Sequence, residues 1–212
     1  MKLSSGYELV ENVFTLSECQ AILTHLPKTG YCLRDPLIQF PEIIELIRAS
    51  KITELFPHYS IVRSVFFQKP NSNNWHVPLH QDKLVQVSHK IELPGFGPWS
   101  VKNNINHVQP TPEIMNQVIS LRIHLSDCSA NDGPLEIIPN SHLTNYEPLY
   151  ENSQSTEITG EAGSLLIFSP LCWHKSKKCK SNSQRAVLHM EISKGSLPEK
   201  LSWNTQIALT RR

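Results

Sequence analysis

His80-Gln81-Asp82 sets an imidazole and a carboxylate two residues apart. On an extended chain, side chains at i and i+2 leave the same face, so this pair can reach one cation. Joined by a distant His, it would form a 2-His-1-carboxylate facial triad. Such a triad leaves three adjacent positions on Fe(II) open to a cosubstrate and O₂, whereas thiolates would favour zinc or clusters. The pair alone is a weak signal. Ten His and 19 acidic residues among 212 give about one His-x-acid pair by accident. A second one is indeed present at His189-Met190-Glu191. Context favours the first. His174 follows 94 residues after His80, behind the apolar run Ser164 to Phe168 and the break Ser169-Pro170. Arg185 comes eleven residues later, and its guanidinium can grip a carboxylate with two parallel hydrogen bonds. A distal His followed by such an Arg suits a 2-oxoglutarate site: the metal chelates the 2-oxo acid end and the Arg holds the far carboxylate.

Composition narrows the partners. Lys and Arg number 20 against 19 Asp and Glu, a net charge of +1, so nothing draws the chain to nucleic acid or an anionic membrane. No run approaches the roughly 20 apolar residues of a membrane helix. Met1 to Glu8 contain no apolar signal segment, and the expected location is cytoplasmic. Five Cys, an odd number with no C-x-x-C pair, argue against a disulfide framework or zinc ribbon. Fifteen Pro against eight Gly, with short apolar runs between them, suggest a β-rich and turn-rich chain.

Elements must carry these residues into one site. The chain reads as a single domain, 1–212. Residues 1–57 form a helical layer, 58–195 a mainly β catalytic core, and 196–212 a C-terminal extension. Thr15-Leu16-Ser17-Glu18 has the form of a capping box, followed by a helix that Pro27 stops. A second helix is predicted from Pro41 and a short turn over Ile52 to Phe56. From residue 60 the period becomes two. Strands are predicted over Ser60 to Lys69, Val118 to Ser126, Leu135 to Ile138, Ser164 to Phe168 and Arg185 to Ile192. Residues 88–112 read as a long irregular insertion, and 83–116 as part of a lid. This order suggests a jelly roll with helices on one sheet. In that case Ile119, Leu121, Ile123, Ala186, Leu188 and Met190 would face the helices. Arg122, His124, Arg185 and His189 would then point into the barrel. An ordinary sheet with its polar face in water is the equal alternative.

Several segments, in order, resemble the phytanoyl-CoA dioxygenase family. Phe66-Phe67-Gln68-Lys69-Pro70, Asn74-Trp75 and Val77-Pro78-Leu79-His80-Gln81-Asp82 are similar to its metal-binding segment. Gly97-Pro98-Trp99-Ser100 and Val108-Gln109-Pro110 resemble the insertion that follows. Leu121-Arg122-Ile123-His124-Leu125, Gly133-Pro134-Leu135 and Pro139-Asn140-Ser141-His142 resemble its central strands. Trp173-His174-Lys175-Ser176 and Arg185-Ala186-Val187-Leu188-His189 resemble its distal segment. The resemblance implies a double-stranded β-helix and an Fe(II)/2-oxoglutarate-dependent hydroxylase that consumes O₂ and releases succinate and CO₂. It implies His80, Asp82 and His174 as iron ligands. It implies Arg185 and Ser176 on the 2-oxoglutarate distal carboxylate, and Trp99 and Lys69 as further cosubstrate contacts. Asn140 replaces a usual Gly, and Asn tolerates positive φ. Asp82 is retained where related halogenases carry a small residue, which favours hydroxylation.

Other residues are expected to be bystanders. His76 should be structural, because Pro78 forbids a helix joining it to His80. His142 should bond backbone, and His189 should pack beside the ligands. Lys175, Lys177, Lys178 and Lys180 should form a solvated basic loop rather than an anion site. Cys172 and Cys179 should be inert, with Trp75 and Trp173 packed on the metal strands. Two alternatives remain. One is a non-catalytic jelly roll that binds metal or 2-oxoglutarate; the other is a cupin-type metal enzyme with no need for Arg185. The partner is a small-molecule substrate whose identity these motifs do not name, and the oligomeric state is likewise open.

Overall fold

The structure, a computed structural model, describes residues 3–28, 32–69, 75–149, 153–180, 185–198 and 200–210. The motif residues Pro70 and Asn74 lie outside them. The first part of the chain contains β1 (Tyr7–Val10), α1 (Leu16–His25), β2 (Cys32–Arg34), α2 (Pro36–Gln39), α3 (Glu42–Ala49), α4 (Ile52–Leu55) and β3 (Ser60–Lys69). Then come β4 (Val77–His80), β5 (Val85–Val87), β6 (Trp99–Lys102), β7 (Ile105–Val108), α5 (Pro112–Met115), β8 (Val118–His124) and β9 (Leu135–Ile137). The last elements are β10 (Thr156–Ile158), β11 (Leu165–Phe168), β12 (His174–Ser176), β13 (Arg185–Ser193) and β14 (Ile207–Ala208).

The predicted capping box starts α1. The Thr15 hydroxyl accepts from the Glu18 amide at 3.2 Å, and the Glu18 carboxylate accepts from the Thr15 amide at 2.7 Å. One sheet runs β1-β11-β8-β13-β3-β14, with β2 also on β3; a second runs β10-β9-β12-β4. All pairings are antiparallel. The fold is mainly β, a double-stranded β-helix with a cavity between its two sheets.

The central strands show why one face is apolar and the other charged. Leu121 and Ile123 of β8 and Ala186, Leu188, Met190 and Ile192 of β13 share a buried core with Ile22, Ile43, Ile47 and Ile52 of the helices. The alternate residues Arg122, Arg185 and His189 therefore point the other way and line the cavity. The helical layer takes up the apolar face, which leaves the polar face for the barrel interior.

Three segments differ from expectation. The first 57 residues are not purely helical: β1 extends the large sheet through Tyr7↔Phe168, and β2 docks on β3 through Leu33↔Phe66. The C-terminal segment adds Ile207 opposite Ile61. The stretch 88–112 is not irregular throughout. β6 and β7 form a hairpin that joins β5 in a three-stranded sheet. Its turn is Asn103-Asn104, with φ of 50° and 62°, the left-handed pair that a tight hairpin requires and Asn tolerates. Among the described residues, no helix is long and apolar enough to cross a membrane.

Candidate metal centre

His80 closes β4 and His174 opens β12, and the two are direct partners across the antiparallel pair. Their side chains leave the same face, with ring centroids 4.2 Å apart. Gln81 turns the opposite way: its amide nitrogen donates to the Asn145 carbonyl at 2.7 Å and to that of Leu171. Asp82 thus returns to the face of His80, held by its amide on the Pro170 carbonyl at 3.0 Å. Its carboxylate lies 3.8 Å from His80 Nε2 and 3.5 Å from His174 Nε2. The three ligand atoms lie within 4.8 Å of one another.

Both imidazoles are oriented from behind. His80 Nδ1 lies 2.8 Å from the Pro78 carbonyl, and His174 Nδ1 lies 2.8 Å from the Cys172 carbonyl. Each carbonyl needs an N–H, which assigns the proton to Nδ1 and leaves the Nε2 lone pair facing Asp82. Burial lowers the His174 pKa against the pull of Asp82, which favours the neutral, ligating form. Burial works against ionisation of Asp82, but His174, Arg63, His189 and His80 outweigh it and bring its pKa down to about 2. Two imidazoles and a carboxylate, with no thiolate among them, fit a ferrous ion. The nearby Cys172 thiol instead points to the Gly6 carbonyl at 3.4 Å.

The cavity has a volume of about 120 Å³, against the roughly 10–15 Å³ that one water needs. Beyond the triad its lining includes Arg63, Lys69, Arg122 and Arg185, and Asp82 is the single carboxylate of that lining among the described residues. Lys69 Nζ donates to Ser176 Oγ at 2.6 Å and to the Lys177 carbonyl at 3.1 Å. Arg185 Nη1 donates to the Gly133 carbonyl, while its buried Nε has no hydrogen-bond partner among the described residues. Burial, then the charges of Arg185 and Arg122, lower the Lys69 pKa to about 7. This constellation has the charge and the donors to hold a small dianion.

The sequence profile described as Phytanoyl-CoA dioxygenase (PhyH) matches residues 4–187. The chain belongs to that family. The PhyH fold is that of Fe/2-oxoglutarate-dependent oxygenases, and solved structures repeat it. The α-ketoglutarate-dependent carbocyclase SnoK from nogalamycin biosynthesis has a TM-score of 0.65 at 13% identity, covering 90% of this chain and 80% of its own. The epimerase SnoN, in complex with Fe³⁺, α-ketoglutarate and nogalamycin RO, has a TM-score of 0.64 at 13% identity, covering 99% and 92%. HygX from Streptomyces hygroscopicus, with nickel, 2-oxoglutarate and hygromycin B bound, has a TM-score of 0.61 at 12% identity, covering 90% and 83%. No curated protein sequence matches the chain.

In this PhyH-family chain the fold brings His80, Asp82, His174, Ser176, Lys69 and Arg185 to one cavity. Trp99 is not among its lining residues. The pairing Trp99↔Val108 places it in the three-stranded sheet, where its ring packs on the cluster of Val85, Val108 and Trp203 and lies under Lys90. His124 is buried on Ser164 Oγ at 2.8 Å and does not line the cavity, whereas Arg122 does. His142 differs from expectation: its Nδ1 is buried with no hydrogen-bond partner among the described residues, close against Gly6. Asn140 does adopt the positive φ, 63°. Of the basic loop, Lys175 and Lys177 pair with Glu136 at 3.3 and 3.1 Å, and Lys177 also pairs with Glu157.

The decoy pair meets the same centre. His189 and Glu191 gather with Asp82 into a second possible ligand group. Glu191, however, accepts from Arg63 at 2.6 Å, and burial raises its pKa to about 7. Arg63 itself was missed by sequence reasoning. Its signal was available, since Arg63, Val65, Phe67 and Lys69 alternate along β3 and all face the cavity.

Proposed function

We propose that the chain is an Fe(II)/2-oxoglutarate-dependent dioxygenase that hydroxylates a C–H bond of a small organic molecule. His80, Asp82 and His174 hold the iron. Arg185, with Ser176 and Lys69, holds the distal carboxylate of 2-oxoglutarate. The observation that supports this reading is the shared cavity: it is lined both by a three-ligand N/O site and by the buried cations Lys69 and Arg185 with Ser176. When bound, iron and 2-oxoglutarate supply the oxidation of a C–H bond by O₂, coupled to decarboxylation of the cosubstrate to succinate and CO₂.

The chain's own residues do the rest. The Pro78 and Cys172 carbonyls fix the imidazole tautomers and aim both Nε2 atoms. Lys69 and Arg185 neutralise the dianion and orient it toward the ligands. Phe67, Phe168 and Leu135 line the same cavity and exclude water from it. Retention of Asp82 keeps the carboxylate in the ligand set and supports hydroxylation over halogenation.

Anaerobic addition of Fe(II) and 2-oxoglutarate tests this directly. A chelated complex gives a visible charge-transfer absorption, and O₂ then gives iron-dependent succinate. His174→Ala should lose both. Succinate without iron, or no charge-transfer complex in the wild-type protein, would overturn the assignment. Complex formation without any succinate would instead mark a binding protein.

A further inference from the structure

A second groove, of about 200 Å³, shares Arg63, His80 and Asp82 with the inner cavity but includes none of Lys69, Ser176 and Arg185. Its remaining walls include Arg34 of β2, Lys83, Lys102 at the end of β6, and His107 of β7. Two additions to the barrel build it. β2 docks on β3 with Arg34 opposite Val65, and the hairpin carries Lys102 opposite Ile105.

The charges lining this groove do not balance. Arg63 is paired with Glu191 at 2.6 Å. Lys83 Nζ lies over the rings of Trp173 and Tyr146, at 5.3 and 5.7 Å. Asp82, the one carboxylate in the lining among the described residues, faces two imidazoles and is committed to the metal on the reading above. Arg34 and Lys102 remain. Both are exposed, and neither forms an ion pair with a described residue. Asp35 is next to Arg34 in the chain and feels the charges of Arg63, Arg34 and His107, but it is not among the residues that line the groove. Composition does not force such an excess in a chain of net charge +1. Elsewhere, as at Lys175 and Lys177, basic residues beside the barrel are met by acids.

We propose that this groove receives an anionic group of the substrate, a carboxylate, phosphate or sulfate on a small organic molecule, held by Arg34 and Lys102. The molecule then lies against His80 and Asp82 with its reacting carbon at the metal. A guanidinium and an ammonium on converging walls give charge-assisted donors to such a group and steer it in from solution. Identifying the bound molecule as substrate rests on the iron-centre reading; capture of the anion does not.

The test therefore uses metal-free protein. Inorganic phosphate and acetate are titrated separately while backbone amide NMR shifts are followed. Saturable shifts are expected at residues 34, 82–84, 102 and 107. The double variant Arg34→Gln/Lys102→Gln, folded by the same spectrum, should bind about tenfold more weakly at these positions. Shifts around Lys69, Ser176 and Arg185 report the inner cavity and should persist in that variant. Tighter binding of phosphate assigns a phosphate or sulfate ester; equal or tighter binding of acetate assigns a carboxylate. The proposal is overturned if neither anion saturates the groove, or if the double variant binds there as the wild type does. Failure of the iron reading would appear separately, in the charge-transfer experiment.

Discussion

Arg185 is only 2% exposed, and a buried guanidinium costs several kcal/mol unless it is paired. Within the protein it has the Gly133 carbonyl and the Cys128 thiol as partners, while its Nε has none among the described residues and is left for a ligand carboxylate. Lys keeps the charge but loses the fork. Arg185→Lys should weaken 2-oxoglutarate binding about 30-fold, or about 2 kcal/mol, in a charge-transfer titration. Lys69 adds a pH dependence. Its folded pKa, about 7, lies below the ordinary 10.5, because burial and then the charges of Arg185 and Arg122 disfavour the ammonium. Between those values the folded protein holds Lys69 neutral while the unfolded chain holds it charged, so this group's contribution to stability rises with pH. Cosubstrate binding has the opposite sign, since a dianion prefers the ammonium. Affinity for 2-oxoglutarate should be highest below pH 7 and fall as the pH climbs past it. Lys69→Met should bind more weakly at low pH and lose that slope.

At the level of elements, Gly133 joins β9 to the inner cluster. Its φ is 60°, and a Cβ there would meet the Lys177 carbonyl oxygen at 2.4 Å, in the segment that follows β12. Its own carbonyl accepts from Arg185 and, at 3.5 Å, from Ser176. Gly133→Ala should cost about 2–4 kcal/mol in denaturant unfolding, and should weaken 2-oxoglutarate binding in the fraction that still folds. A G133A protein with unchanged affinity would show that the loop yields without moving Arg185. The same elements show what the sequence makes legible. β3, β8 and β13 run for seven or more residues, and both faces of β8 and β13 follow from alternation. His80 and Asp82 follow from i and i+2 on an extended chain. β1, β2, β6 and β7 have three or four residues each, and pairing with an available edge, rather than their own pattern, makes them strands. Alternation along β3 turns Arg63 to the cavity, but its ion pair depends on Glu191 lying opposite it across β3 and β13, a pairing that no local pattern states. The same limit misplaced Trp99, whose position follows from the hairpin register.

Across the whole molecule, the large sheet divides the protein into an apolar side under the helices and a cationic side facing the barrel. Among the described residues Arg63, Lys69, Arg122 and Arg185 face that interior with Asp82 and Glu191; Glu191 pairs with Arg63, which leaves Lys69, Arg122 and Arg185 together, and Arg122 is held near pKa 9 by burial and then by Arg185. The empty fold therefore carries repulsion that a dianion removes. Metal-free protein should be stabilised by 2-oxoglutarate alone, by about 2.7 kcal/mol at a hundredfold excess over Kd. For a chain of this length that is about 5–10 °C in Tm. Sodium chloride should not reproduce the shift, because mobile ions screen exposed charges far better than buried ones. Ile47→Ala tests the division itself. Ile47 is fully buried in the helix-facing core, so its truncation should cost about 2–5 kcal/mol and lower the starting Tm. The increment from 2-oxoglutarate should nonetheless match that of the wild type, because the substitution touches only the other face of the sheet. An increment lost along with the core contact would mean that the two faces are coupled through the strands, and that the helical layer sets the spacing of the cations inside.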